Sequence, residues 1–184
     1  MIPFPEKKYQ IIYADPPWEY KQSGGKNGSR GMAKTHYNTM SAEDIYNLPV
    51  QKIAGGACLF LWATFPMLPE ALRVMEAWGF AYKGAAFVWV KTYAKSGKPF
   101  WGMGAYTRAN AEVCLLGVSK EFKASERVKS HRVHQIVESP VGRHSRKPDE
   151  VRRRIVELLG DVPRIELFAR ERVEGWDAWG DEVG

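Results

Sequence analysis

The chain lacks the features of a secreted, membrane or disulfide-stabilised protein. Only two cysteines, Cys58 and Cys114, occur in 184 residues, and each lies in an apolar run of the kind where a buried free thiol is common. No apolar run approaches the roughly 20 residues of a membrane span. The opening MIPFPEKKYQ has neither the basic start nor the apolar stretch of a signal peptide. These absences predict a cytoplasmic protein that does not contact a membrane.

Metal-binding patterns are also missing. The cysteines do not have metal-ligand spacing, and the four histidines do not form a zinc pattern, so we predict no metal site. The histidines are His36, His131, His134 and His144.

The charge is unevenly distributed. Lys and Arg outnumber Asp and Glu by 27 to 21, giving a net charge of +6, and the excess is concentrated in residues 123–132 and 142–154. Such segments indicate a polyanionic partner such as nucleic acid, although a solvated basic face is the alternative. The length is that of one ordinary domain, residues 1–184.

Apolar runs and helix signals alternate along the chain. Ser41 followed by Asp44 fits a capping box, Pro66 to Gly79 has helical spacing, and Pro148 begins a helix that Gly160 ends. This alternation predicts an α/β fold with a mainly parallel sheet. The predicted strands are residues 8–15, 57–64, 85–92, 111–118 and 164–170.

The first strand ends in the segment ADPPW, which places Asp15 at the sheet edge where ligands of open α/β folds bind. An ordinary turn explains Asp15 and one proline, but it does not explain the second proline and Trp18. The Asp15 carboxylate and the Pro16 carbonyl are able to accept both hydrogens of a nucleobase amino group, a weak nucleophile that must be oriented. Trp18 offers a face for base stacking, and a paired base would have to be flipped out.

Eight segments in this order resemble the MT-A70-like adenine methyltransferases, which include the catalytic subunit of the eukaryotic mRNA methyltransferase. The resemblance extends from about Lys8 to Val183, and it implies transfer of a methyl group from S-adenosylmethionine to the adenine 6-amino group. It also implies a Rossmann-like class I methyltransferase fold with permuted motifs, the catalytic strand first and the cofactor strand last. The segments are ADPPW, THYNTMS, LFLWAT, VWVKT, EVCLLGV, HSRKPDE, IELFAR and WDAWGDEV.

The resemblance implies roles for individual residues. Asp15, Pro16, Pro17 and Trp18 match the catalytic motif, and Asp15 also adjoins the cofactor. Tyr37 matches a gate-loop tyrosine near the acceptor base, and Trp62 and Trp89 match aromatic positions around the pocket. Lys147 matches a lysine that contacts the cofactor's methionine carboxylate, and Arg170 a residue near its ribose. The alternatives are a solvated Lys147 and a surface ion pair of Arg170 with Glu171 or Glu174.

Two departures concern the cofactor site. The family usually has amides after the closing Trp-Gly, whereas this chain has Asp181 and Glu182, which still accept hydrogen bonds from ribose hydroxyls. The family also has cofactor-adenine contacts upstream of the first strand, where only MIPFPEK stands here, and no G-x-G follows ELF. A dinucleotide fingerprint is therefore absent.

We expect an S-adenosylmethionine-dependent N6-adenine methyltransferase acting on nucleic acid, with DNA preferred because the chain is short and has no added RNA-binding module. The alternatives are an RNA adenine methyltransferase, a non-catalytic nucleic-acid-binding subunit of the same fold, and methylation of the cytosine amine. Lys129 and Arg132, with Lys26 and Lys34, are the predicted phosphate contacts.

Overall fold

Seven strands form one sheet within the computed structural model, which describes residues 3–19, 40–104, 106–142 and 146–183. The strands are β1 (Tyr9–Ala14), β2 (Ala54–Ala63), β3 (Ala81–Thr92), β4 (Ala111–Val118), β5 (Ile136–Pro140), β6 (Arg164–Leu167) and β7 (Asp177–Trp179). Their spatial order is β5-β3-β4-β2-β1-β6-β7. Strands β2 and β1 therefore occupy the middle of the sheet.

The sheet is mainly parallel, as predicted. Strand β1 pairs in parallel with β2 and β6, β6 with β7, and β3 with β5. Strand β4 runs antiparallel to both β2 and β3. The reason is that the described residues between β3 and β4, 93–104 and 106–110, contain no helix, and a parallel partner needs a longer crossover connection, usually a helix.

Three of the helices confirm the start and stop signals of the sequence, and the four-residue helix at Ala124–Arg127 was not predicted. They are α1 (Ala42–Tyr46), α2 (Leu68–Ala77), α3 (Ala124–Arg127) and α4 (Asp149–Leu159). The Ser41 hydroxyl accepts the amide hydrogen of Asp44 at 3.1 Å, the predicted cap of α1. Helix α4 ends at Gly160, whose φ of 85° favours glycine. No helix of the described segments is long and apolar enough to cross a membrane.

Two apolar cores lie on opposite faces of the sheet. Side chains of α1 and α2 pack on one face with Ile12, Leu59 and Leu61. Side chains of α4 pack on the other face of the sheet with the alternate residues of the same two strands, such as Tyr13 and Phe60. The alternation of side chains along a strand thus gives three layers, helix, sheet and helix.

Candidate active site

The carboxyl end of β1 lies where the connections to the neighbouring strands change sides. The chain passes from β1 to β2 through α1, and it enters β6, the other neighbour of β1, from α4 on the opposite face. Such a switch point opens a crevice at the carboxyl ends of the strands. Asp15 is the first residue after β1. We call this side of the sheet the carboxyl edge and the opposite side the amino edge.

Four charged side chains meet at the carboxyl edge. The Lys147 ammonium lies 2.9 Å from Asp15 Oδ2 and 3.2 Å from Glu112 Oε2, and the Lys91 ammonium lies 2.5 Å from Glu112 Oε1. Lys91 is near the end of β3, whereas Glu112 is near the start of β4. Because β4 is antiparallel, its first residues lie at the same edge as the last residues of β3. We call Asp15, Lys91, Glu112 and Lys147 the charged cluster.

Burial and ion pairing shift the pKa values of Lys147 and Glu112 in opposite directions. Burial alone would lower the pKa of Lys147, but the carboxylates of Asp15 and Glu112 outweigh it and raise that pKa above the usual value. Burial alone would raise the pKa of Glu112, but Lys147 and Lys91 lower it overall. Both groups are therefore charged near neutral pH. The cluster contains two carboxylates and two ammonium groups, so its formal charges sum to zero.

Two buried tryptophans contact the cations of the cluster. The Lys147 ammonium lies 5.5 Å from the ring centroid of Trp62, and the Lys91 ammonium lies 5.0 Å from that of Trp89. The Trp62 indole donates to the Tyr13 hydroxyl at 2.7 Å, and the Trp89 indole donates to the Ser139 carbonyl at 2.9 Å. These bonds fix the rings beneath the cluster. Direct contact of Trp62 and Trp89 with substrate stays a prediction.

Hydrogen bonds hold the ADPPW turn in one conformation. The Trp18 amide donates to the Pro16 carbonyl at 2.9 Å, and the Met40 amide donates to the Pro17 carbonyl at 3.0 Å. The Trp18 indole donates to the Trp62 carbonyl at 3.2 Å, and its ring packs into the core on the α1 and α2 face with 5% exposure. A carbonyl oxygen has two lone pairs, so Pro16 retains the capacity to accept a second donor. Base stacking on Trp18 stays a prediction.

A second buried ion pair lies below the cluster and was not predicted from the sequence. Arg152 of α4 binds both carboxylate oxygens of Glu166 on β6, at 2.8 and 2.9 Å, and its guanidinium lies 5.8 Å from the Tyr13 ring centroid. A solvated basic face was the alternative interpretation of residues 142–154, and for the buried Arg152 this alternative is wrong. The available signal was Glu166, a carboxylate in the middle of an apolar strand, which requires a partner.

The residues predicted at the cofactor ribose meet at the same edge. Arg170 lies just beyond β6, and its Nε is 3.9 Å from Glu182 Oε1, a different partner from the expected Glu171 or Glu174. Arg146, just before Lys147, pairs with Glu171 at 2.7 Å. This ion pair joins the start of α4 to the loop after β6. Asp181 is exposed in the 3-10 turn Asp181–Val183.

The turn after β6 is unusually tight. Phe168 has a φ of 61°, rare for a bulky residue, and it ends β6 three residues before the predicted boundary. A Cβ on Gly180 would lie 2.3 Å from the Ala169 carbonyl oxygen. Only glycine at position 180 therefore allows the C-terminal segment to pack this close to the turn. Strained backbone of this kind concentrates at ligand sites.

The predicted phosphate contacts do not lie with the rest of the site. The Lys129 amide donates to the Leu158 carbonyl, and the Lys129 side chain packs against Gly160. Helix α4 begins two residues after Lys147 and ends at Leu159, and its 11 residues span about 16 Å. Lys129 therefore lies at the amino edge, where it is followed by Arg132, which lines a groove with Ser130, His131, Val133, His134 and Glu157. The predicted Tyr37, Lys26 and Lys34 lie outside the described residues.

The donors and acceptors at the carboxyl edge fit S-adenosylmethionine. Its amino-acid end carries an ammonium and a carboxylate, which match the Asp15 acceptor and the Lys147 donor. Its ribose carries two hydroxyls, which match Glu182 as an acceptor and Arg170 as a donor. These two groups of residues are joined through the Arg146–Glu171 ion pair.

Comparison with known proteins identifies the family of the chain. The MT-A70 family profile matches residues 9–182. The chain belongs to the MT-A70 family. MT-A70 proteins are S-adenosylmethionine-dependent N6-adenine methyltransferases, and this chain is a methyltransferase of that family. The predicted resemblance, enzyme class and fold class are thereby confirmed.

Individual MT-A70 relatives differ in how much of their length the chain covers. The chain is 35% identical to the type II methyltransferase M.MunI of a Mycoplasma species, and the alignment covers 97% of the chain and 79% of M.MunI. It is 27% identical to a putative N(6)-adenosine-methyltransferase of Medicago truncatula and 30% identical to the N(6)-adenine-specific methyltransferase METTL4 of Mus musculus. Both alignments cover 96% of the chain, but they cover only 26% of the Medicago truncatula protein and 38% of METTL4.

Proposed function

We propose that this chain transfers a methyl group from S-adenosylmethionine to the 6-amino group of adenine in DNA. The observation that supports the proposal most directly is the position of Asp15, at the switch point of an MT-A70 sheet and bound to the buried Lys147. The Asp15 side chain is 22% exposed, whereas that of Lys147 is 9% exposed. The carboxylate therefore lies on the solvent side of the ion pair, where an acceptor base would reach it.

Asp15 and Pro16 orient the amino group in this proposal. The adenine amino nitrogen is a weak nucleophile because its lone pair is delocalised into the ring. The Asp15 carboxylate and the Pro16 carbonyl accept its two hydrogens, which favours a pyramidal nitrogen whose lone pair is free to attack the methyl group that bound S-adenosylmethionine would supply, with the sulfur as the leaving group. The Asp15 carboxylate is also placed to accept the proton that the nitrogen releases.

Lys147 has two roles in the proposal. Its ammonium pairs with the Asp15 carboxylate and fixes its position, and it would interact with the methionine carboxylate of the cofactor. Arg170, Asp181 and Glu182 would interact with the sugar. When bound, S-adenosylmethionine supplies an electrophilic methyl group. Glu112, which the sequence did not single out, is a second carboxylate bound to Lys147, at 3.2 Å.

DNA is the proposed substrate because of the names and identities of the relatives. The chain is 35% identical to a protein named as a type II methyltransferase, a class name used for DNA methyltransferases. It is 27% identical to a relative named as a putative N(6)-adenosine-methyltransferase. Nucleobase enzymes reach their target by flipping it or by using an unpaired strand.

The test is direct. The protein is incubated with labelled S-adenosylmethionine and either unmethylated plasmid DNA or an RNA transcript of the same sequence, and the digested nucleosides are identified by mass spectrometry. We expect label in N6-methyladenine from the DNA. Label found mainly in RNA would contradict the DNA assignment, and label on cytosine or on neither polymer would contradict the acceptor chemistry.

A further inference from the structure

Residues 93–104 and 106–110, between β3 and β4, form an arm next to the charged cluster. At its base the Phe100 amide donates to the Lys91 carbonyl, and the Lys91 amide donates to the Asn110 carbonyl, each at 2.8 Å. Lys91 pairs with Glu112. The base of the arm is therefore part of the charged cluster itself.

Two glycines bring the strands of the arm close together. The Gly102 amide donates to the Ala109 carbonyl at 2.9 Å, and a Cβ on Gly102 would lie 2.2 Å from that oxygen. A Cβ on Gly104 would lie 1.9 Å from the Thr107 carbonyl oxygen. A side chain is thus excluded at these two positions, whereas the larger neighbours Trp101, Met103 and Tyr106 are exposed to solvent.

These three neighbours of the glycines are apolar or aromatic and unusually exposed. Trp101 is 62% exposed, Met103 88% and Tyr106 fully exposed. Below them Tyr93 packs on Phe100 with ring centroids 5.2 Å apart. Residues 93–110 also contain Lys95, Lys98 and Arg108 and no Asp or Glu. Exposed apolar side chains grouped in this way mark an interaction surface.

We propose that the arm binds unpaired nucleobases beside the methylated adenine, with Trp101 and Tyr106 stacking on the bases and Lys95, Lys98 and Arg108 contacting the phosphates. The inference rests on the proposed function, because it requires a nucleic-acid substrate at the carboxyl edge. Charge complementarity favours this occupant. The arm carries only positive charge and the whole chain is +6, so a second copy would be repelled whereas a polyanion is attracted. Aromatic side chains interleaved with cations are the usual surface for single strands.

The experiment separates base stacking from charge. Binding of a labelled single-stranded DNA oligonucleotide, and of an abasic oligonucleotide of the same length, is measured by fluorescence anisotropy for wild type, Trp101→Ala and Tyr106→Ala. We expect each substitution to raise the Kd for the base-containing strand about tenfold and the Kd for the abasic strand less than twofold. Trp101→Phe should restore most of the affinity because it keeps a stacking ring.

Tyr82→Ala is the matched control. Tyr82 is 51% exposed at the start of β3, at the amino edge, and its removal should leave both affinities unchanged. Equal affinity of wild type and arm variants for the base-containing strand would overturn the inference, as would the same loss on the abasic strand. A wild-type dimer that the arm substitutions dissociate would also overturn it, in favour of a second copy.

Failure of the inference and failure of the proposed function give different results. Methyl transfer to DNA with no effect of the arm substitutions on binding would overturn the inference alone. Aromatic-dependent binding without methyl transfer would overturn the proposed function and support the arm as a nucleic-acid surface.

Discussion

The two edges of the sheet are both rich in cations, but they use them differently. At the carboxyl edge, the Lys91 and Lys147 side chains are only 17% and 9% exposed and are paired with Glu112 and Asp15. At the amino edge, Lys129 and Arg132 lie on the surface beside an open groove. A cation buried against carboxylates fixes geometry, whereas an exposed cation contributes mainly long-range attraction. The number of basic residues in a segment therefore does not identify the reacting edge.

The largest expected effect is that of Asp15→Asn at the carboxyl edge. Asparagine keeps the shape and one acceptor oxygen but removes the charge and adds hydrogens where adenine needs acceptors, so methyl transfer should fall at least about a hundredfold. The measurement is labelled-methyl incorporation under single-turnover conditions. Asp161→Asn, at the exposed amino edge near the start of β6, is the matched control and should retain activity. Near-normal turnover of Asp15→Asn would exclude the proposed role of the carboxylate.

Lys147→Met should have the next largest effect, on stability. Removing this ammonium leaves Glu112 and Asp15 close together without the cation that both contact, and breaking a buried pair costs about 3 kcal/mol or more in free energy of unfolding. Urea denaturation monitored by tryptophan fluorescence measures it. The double variant Lys147→Met with Glu112→Gln should lose less than the sum of the two single losses. Strict additivity would show that these side chains do not interact.

Glu112→Gln should have a smaller effect that depends on pH. The folded-state pKa of Glu112 is lowered below its usual 4.5, so its charge contributes stability that is present above about pH 4.5 and is lost as the pH falls through the folded-state value. We expect a loss of about 1–2 kcal/mol at pH 7 that shrinks as the pH falls below 4.5 and through the folded-state pKa. A loss that stays the same from pH 7 down to the acid limit of folding would contradict the charged interaction.

Replacing both Lys129 and Arg132 with Gln at the amino edge should have the smallest effect. These residues are candidates for phosphate contacts only with a polyanion long enough to extend past that edge. Turnover on short oligonucleotides should stay unchanged, and on long duplex DNA the logarithmic salt slope should fall by at most about 0.9 for each contact. A large loss of turnover on short substrates would place the substrate at the amino edge and reverse the comparison.

Helices α1, α2 and α4, the central strands and the position of Asp15 followed from local signals in the sequence, whereas α3 did not. Ser41, Gly160 and the prolines act within one turn, and a long apolar run such as that of β2 has few alternatives to a buried strand. Strands β5 and β7 were missed because they are short edge elements of five and three residues, whose formation depends on the neighbouring strand rather than on their own pattern.

The charged cluster was only half predictable. Asp15 and Lys147 lie within motifs, but their 132-residue separation hides the contact, which only the strand order creates. Glu112 and Lys91 come together because β4 is antiparallel, and the expectation of an alternating fold did not include that reversal. Arg152 was misinterpreted because a run of three arginines does not show which one faces the sheet.

The antiparallel β4 also affects how such an enzyme can diversify. Both ends of residues 93–110 are fixed by neighbouring strands of one hairpin, at Lys91 and Asn110, so the connection can lengthen or shorten without shifting the strands that carry Asp15 and Glu112. Doubling the length of a flexible loop costs only about 0.6 kcal/mol. Variation in this hairpin can therefore alter target choice while the reaction chemistry is inherited unchanged, and grafting the arm between homologues is a practical route to new specificities.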